Sequence, residues 1–195
     1  MVRNLSKVLD KAHTFFLSHK KGITIGNSSK IYYKSRIDCY PVSYKKGGGI
    51  FIGKNCKIGH SKHKYHGGLP FYTGLLSDGE GSKIIVGDNC RINGAYIHAE
   101  KSISIGSKCV IASGVNIIDS DGHQVKSLDR TKGRDNPKEI IIGNNVWICM
   151  NVTILKGSII GDNSIITAGS VISGTVPPNS IASTNGEVEI KEIQY

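Results

Sequence analysis

Residues 142–172 read IGNNVW-ICMNVT-ILKGSI-IGDNSI-ITAGSV-I, with isoleucine at every sixth position: Ile142, Ile148, Ile154, Ile160, Ile166 and Ile172. An amphipathic helix repeats near 3.6 residues and a half-buried strand at two, so this period belongs to neither. A period of six fits a parallel β-helix built from hexapeptide repeats, each repeat supplying one short strand and one corner. The isoleucine points into the prism. Small or polar residues (Gly143, Asn144, Asn145; Gly161, Asp162, Asn163) make the corners.

Outward from this stretch the same texture recurs at Ile25-Gly26, Ile52-Gly53, Ile58-Gly59, Val86-Gly87, Ile92, Ile105-Gly106, Ile111 and Ile117, with a slip of register near Ile97. Two segments break it. Residues 60–82 are basic and rich in His and Gly, and residues 119–139 are polar and charged. Loops of more than about 12–15 residues inside a compact domain are usually functional or disordered. Ahead of the repeats, Leu5, Val8, Leu9, Ala12, Phe15 and Phe16 fall at helical spacing. This predicts a helix over 4–19, capped by Asn4 and packing its apolar stripe on the first coil. The organisation expected is an N-terminal helix over 1–20 and a β-helix domain over 21–195 with loops near 60–82 and 119–139. Residues 181–195 are expected to add a closing strand.

At 195 residues the chain can bury a sizeable core as one principal domain. Twenty-four glycines and 7% aromatics suit a solenoid, whose corners need positive φ and whose core is aliphatic. The net charge of +10 serves solubility or attracts anions such as nucleotide phosphates and acidic polysaccharide. No nucleic-acid motif accompanies the basic residues. The five cysteines form no C-x-x-C pair, and Cys56, Cys90 and Cys109 follow repeat glycines where a small buried residue is wanted, so they read as reduced core thiols. No signal-peptide core and no run of about 20 apolar residues is present, which predicts a soluble, cytoplasmic protein with no membrane span.

The 119–139 loop holds Asp119-Ser120-Asp121-Gly122-His123, followed by Arg130, Lys132 and Arg134. His123 is either a surface histidine without a role or a general base, with Asp119, Asp121 and Asp129 as candidate orienting carboxylates. His60, His63 and His66, spaced by three, and the later His98 raise a zinc site as a competing reading. A glycine- and lysine-rich loop without an acidic partner is a poor frame for one, and no metal is expected. The same loop is suited to meeting an acidic sugar through Lys62, Lys64 and Tyr65.

The elements Ile142-Gly-Asn-Asn-Val-Trp-Ile148, Ile160-Gly-Asp-Asn-Ser164, Ala168-Gly-Ser170 and Val176-Pro-Pro-Asn179, with the upstream Gly122-His123, resemble the hexapeptide-repeat acetyltransferases. The nearest branch holds the galactoside, maltose and polysaccharide O-acetyltransferases and the related xenobiotic acetyltransferases. The resemblance covers residues 84–181; residues 1–83 share only the repeat texture. It implies a left-handed coil, a homotrimer with active sites between subunits, acetyl-CoA as cosubstrate and a saccharide hydroxyl as acceptor in surface polysaccharide biosynthesis. His123 matches the family's catalytic base, which takes the hydroxyl proton during direct transfer, with a backbone N–H helping to hold the oxyanion.

The resemblance further implies cofactor contacts for Trp147 along the pantetheine channel, for Met150 where a small polar residue is common, and for Ala168 and Gly169 at a tight corner. Ser173 matches a position near the adenosine, though Gly174 replaces a frequent basic neighbour, and Lys191 matches a cation at the 3′-phosphate. The family's proline-containing closing segment is replaced by Ala182-Ser-Thr-Asn-Gly-Glu-Val188. Asn93 and Glu100 fall near acceptor-binding positions and read equally as corner residues. Other readings are a sugar N-acetyltransferase, a xenobiotic acetyltransferase, a γ-carbonic-anhydrase-like zinc enzyme and a non-catalytic trimeric scaffold. His123 together with Trp147 sets the transferases apart from the scaffold, which needs neither.

Overall fold

A computed structural model describes residues 2–61, 65 and 67–184. Three parallel sheets of seven, seven and six strands form the sides of a prism. The chain visits the first, second and third sheet in turn and then starts the next coil. Ile142 and Ile160 therefore stack in the first sheet, Ile148 and Ile166 in the second, and Ile154 and Ile172 in the third. The six-residue period is the side-to-side step of the coil, and inward aliphatics line up in columns. Ile31, Ile58, Ile92, Ile111, Ile148 and Ile166 form the column of the second sheet, each fully buried. Each such side chain is worth about 1.5–3 kcal/mol relative to exposure.

Residues with positive φ stand at all three edges. Between the first and second sheets, Asn55, Asn89, Asn145, Asn163 and Asn179 hold φ of 54–61°, a conformation Asn tolerates better than most residues. The amides of the last three form a ladder, Asn145 Nδ2 donating to Asn163 Oδ1 at 3.1 Å and Asn163 Nδ2 to Asn179 Oδ1 at 3.0 Å. Glycines precede them because successive coils touch there: a Cβ on Gly106 would lie 2.5 Å from the Gly143 carbonyl oxygen. Cys56, Cys90 and Cys109 are buried free thiols, each donating to the carbonyl of a glycine in the next coil at 3.1 Å. This matches their reading as core thiols.

The register slip near Ile97 is a corner one residue short. Ile92 and Ile97 both point inward, five residues apart, and Gly94, with φ of 59°, makes the tighter turn. The first excursion is shorter than the sequence suggests: Gly74–Ser77 is already a strand of the third sheet, paired with Arg36–Cys39. Arg36–Cys39, the third side of the first coil, lacks the isoleucine-glycine signature and is held in place by strand pairing. At the far end Ile181–Ala182 closes the second sheet against Ile165–Ile166. Residues 185–195 of the expected closing segment lie outside the described residues.

The N-terminal helix runs over Val2–Ser18, so Asn4 lies inside it and is not its cap. Its orientation also differs from the expectation. Leu5, Val8, Leu9, Phe15 and Phe16 are exposed in the single chain, and among the described apolar side chains of the helix only Leu17 is buried. The face against the coil is polar: Thr14 Oγ1 accepts the Ile31 N–H at 2.9 Å, Asp10 Oδ1 accepts the Tyr33 N–H at 3.0 Å, and His13 Nε2 donates to the Ser35 carbonyl at 3.1 Å. A terminal coil presents unpaired backbone groups, and satisfying them decides which face turns inward.

Candidate active site

The 119–139 loop leaves the prism at the edge between the third and first sheets, after Asn116–Ile118, and returns at Ile140–Ile142. Its neck is pinned from both sides. Asp119 is fully buried, and its two carboxylate oxygens accept the backbone N–H groups of Glu100, Lys101 and Ser102, all at 2.8 Å. The Lys138 N–H donates to the Asp119 carbonyl at 2.8 Å. Asp135 accepts the Ser120 hydroxyl at 2.6 Å, the Asp121 N–H at 2.7 Å and the Lys156 ammonium at 2.6 Å, and Lys156 also pairs with Asp121 at 2.6 Å. Burial works to raise the Asp135 carboxyl, but these three donors hold it down to about 2.

Between the pinned ends His123 is exposed and lines a cavity of about 610 Å³ with His98, Glu100, Ile118, Ser120, Thr131 and Arg134. The candidate orienting carboxylates are all otherwise engaged. Asp119 serves the backbone, Asp121 pairs with Lys156, and Asp129 accepts Thr131 and pairs with Lys132 at 3.2 Å. Among the described residues no group hydrogen-bonds the His123 ring. Sequence distance misled here: a loop neck needs its own carboxylates to satisfy exposed backbone.

Glu100 joins His123 in this cavity, nearly buried and ion-paired to Arg134. His98 was given no role in the transferase reading of the sequence. It points outward from the third sheet, and its Nε2 meets Asp78 Oδ1 at 2.8 Å. The signal for it is period two, since Ile97 and Ala99 are buried while Tyr96 and His98 between them are not.

The remaining candidates lie on another edge. Trp147 stands on the outer face of the second sheet, 50% exposed, between Val110 and Ile165. Met150 follows it at the corner between the second and third sheets, where the Gly169 N–H donates to the Met150 carbonyl at 2.9 Å. A Cβ on Gly67 would lie 3.2 Å from the Met150 sulfur, so the shorter excursion closes over Met150. Ala168 and Gly169 form the next corner in this column; both are exposed, and nothing lies within 4 Å of a Cβ on Gly169. Asn93 belongs to the same edge at an earlier coil, in a separate cavity with Lys30, Lys57 and Arg91.

The structure thus gathers Trp147, Met150, Ala168 and Gly169 along one edge, and His123 with Glu100 along the next. Ser173 is exposed at the corner after Val171–Ile172, on the His123 side of the third sheet and apart from Trp147. Lys191, His63 and His66 lie outside the described residues. Among the described residues no group of three or more His, Cys, Asp or Glu is arranged to hold a metal ion.

Two family signatures match, bacterial transferase hexapeptide (six repeats) over residues 139–174 and the hexapeptide repeat of succinyl-transferase over 83–118. WbbJ of Escherichia coli (strain K12), described as an O-acetyl transferase of lipopolysaccharide biosynthesis, is 30% identical over 165 residues, which span 78% of this chain and 77% of WbbJ. The polysialic acid O-acetyltransferase OatWY superposes with a TM-score of 0.64 at 28% identity, over 87% of this chain and 74% of its own. A hexapeptide-repeat acetyltransferase of Vibrio cholerae O1 biovar eltor, complexed with acetyl coenzyme A, has the same fold, with a TM-score of 0.59 at 20% identity over 93% of this chain and 77% of its own. The repeats, the loop histidine and the similarity to WbbJ over most of both chains have one meaning: this chain is a left-handed parallel β-helix of the hexapeptide-repeat acetyltransferase family.

Proposed function

We propose that the protein transfers the acetyl group of acetyl-CoA to a hydroxyl of a saccharide, with His123 as general base, in the building of a surface polysaccharide. The observation that carries this reading is the placement of His123. It is the exposed histidine of a loop whose neck is locked by the ion pairs of Lys156 with Asp121 and the buried Asp135, and it opens on a cavity large enough for a sugar ring. A loop built this rigidly at its base presents its tip at a fixed height above the coil, as proximity catalysis requires.

The edge through Trp147, Met150, Ala168 and Gly169 suits a thin, partly apolar arm. Trp147 offers one exposed ring face, and the open Gly169 corner lets a ligand lie against backbone. Acetyl-CoA supplies the thioester carbonyl there. His123 takes the proton of the acceptor hydroxyl as that oxygen bonds to the carbonyl carbon, and returns it to the departing thiolate when the C–S bond breaks. No covalent enzyme species is needed.

In one chain the third sheet separates this edge from His123. The site is complete only if the His123 loop of one copy faces the Trp147 edge of another, which a homotrimer provides. Exposed Phe51, Ile85, Ile141 and Ile159 on the first sheet, with the outward stripe of the N-terminal helix, are surfaces such an assembly would cover. No helix among the described residues is long and apolar enough to cross a membrane. We place the enzyme in the cytoplasm, where acetyl-CoA is available and its five free thiols stay reduced.

The test is thiol release from acetyl-CoA by wild type and His123→Ala over a panel of mono- and oligosaccharides. Release that requires both a sugar and His123 is the expected result. Equal turnover by His123→Ala removes the base assignment, and no release with any acceptor removes the transferase reading.

A further inference from the structure

The outward row of the second sheet changes character along its length. In register it reads Lys30, Lys57, Arg91, Val110, Trp147, Ile165, Ile181. Neighbouring strands are about 4.8 Å apart, so three cations stand stacked on consecutive coils beside an apolar half. Like charges directly opposite one another in a sheet repel and cost stability. Among the described residues none of the three has an ion-pair partner.

All three line one cavity of about 650 Å³. Tyr32 and Tyr33 line it as well, their rings 4.9 Å apart and tilted by 56°, and the Tyr72 ring lies 6.0 Å from that of Tyr32, tilted by 35°. His60 and Asn93 add polar atoms to the wall. Asp10 is the one carboxylate in the lining, and its Oδ1 already accepts the Tyr33 N–H. Flat aromatic faces suit the C–H faces of sugar rings, and stacked cations suit a row of anionic groups one ring apart. Arg91 adds the planar fork that binds carboxylate bidentately.

We propose that the cavity bounded by Lys30, Lys57, Arg91, Tyr32 and Tyr33 binds a carboxylate-bearing saccharide chain, making these cations the residues that select an acidic acceptor. The row places this basic half next to the apolar half that carries Trp147, with Val110 between them. The acceptor chain thus continues the line of the donor's arm. The inference rests on the transferase reading for the word acceptor; the binding itself does not depend on it.

The experiment is calorimetric titration of the full chain, without acetyl-CoA, against trigalacturonate, a sialic acid trimer, maltotriose and inorganic phosphate. The expected result is at least one carboxylated trimer binding about tenfold or more tighter than maltotriose, with the advantage shrinking as salt rises. The double variant Lys57→Gln/Arg91→Gln loses that advantage about tenfold, keeps its affinity for maltotriose, and melts no lower than wild type because a repulsion has been relieved. Equal binding of neutral and carboxylated trimers overturns the proposal, as does a double variant that binds them like wild type. Phosphate binding without carboxylated-trimer binding overturns it too, in favour of a phosphate site. Thiol release measured in parallel separates the two readings: carboxylate selectivity without release leaves this site standing and removes the transferase.

Discussion

Asp135 and Lys156 meet at 2.6 Å across the neck of the 119–139 loop, tying the returning arm of the loop to a corner of the following coil. Asp135 is only 5% exposed there. With its carboxyl held at about 2 against about 3.9 in an unfolded chain, its stabilisation is complete above about pH 4 and disappears as pH falls toward 2. Asp135→Asn should cost about 2 kcal/mol near neutrality and flatten the acid limb. Urea unfolding at several pH values measures both, and parallel pH profiles for the two proteins would contradict the assignment.

Trp147→Ala should weaken acetyl-CoA binding about tenfold or more, with little change in folding because the ring is half exposed. Titration with acetyl-CoA reads the first and thermal melting the second. Unchanged affinity would remove Trp147 from the donor site.

Ile160→Asp places a carboxylate in a position 1% exposed, among aliphatic side chains. A buried unpaired charge costs about 3–5 kcal/mol or more, a large part of a domain's total stability of about 5–15 kcal/mol. Circular dichroism should find an unfolded or strongly destabilised protein. A cooperative wild-type melt would be incompatible with the inward column.

Gly106→Ala tests the glycine column. Its Cβ would fall 2.5 Å from the Gly143 carbonyl oxygen, so the two coils must part, at about 1–3 kcal/mol. Gly122→Ala, just beyond the neck of the loop where a Cβ meets nothing within 4 Å, strains only its own φ of 75° and should cost less. Equal losses in chemical denaturation would mean that coil contact is not what selects glycine.

The prism was legible in the sequence because one residue type repeats at one spacing, and the columns of Ile148, Ile166 and their partners follow directly from that period. Motif singled out His123 and the Trp147 corner as candidates, and the fold places them on separate edges of the chain. Less regular parts were not legible. Gly74–Ser77 has the composition of a loop and becomes a strand because Arg36–Cys39 offers it an edge. The N-terminal helix has an apolar stripe at helical spacing, yet Asp10, His13 and Thr14 turn inward to satisfy the first coil. Asp119 looked like a partner for His123 and instead holds three backbone N–H groups.

By itself, then, the sequence determined the coil, its inward faces and the residue types that could do chemistry, because these depend on spacing along the chain. Tertiary structure alone decided which of them meet. It set His123 with Glu100 and His98 on one edge, Trp147 with Gly169 on another, and Lys30, Lys57 and Arg91 in a single row. Apart from His98 and Glu100, which share one strand end, those neighbours lie 22 to 61 positions apart in the chain, and only strand pairing between successive coils brings them within reach of one another.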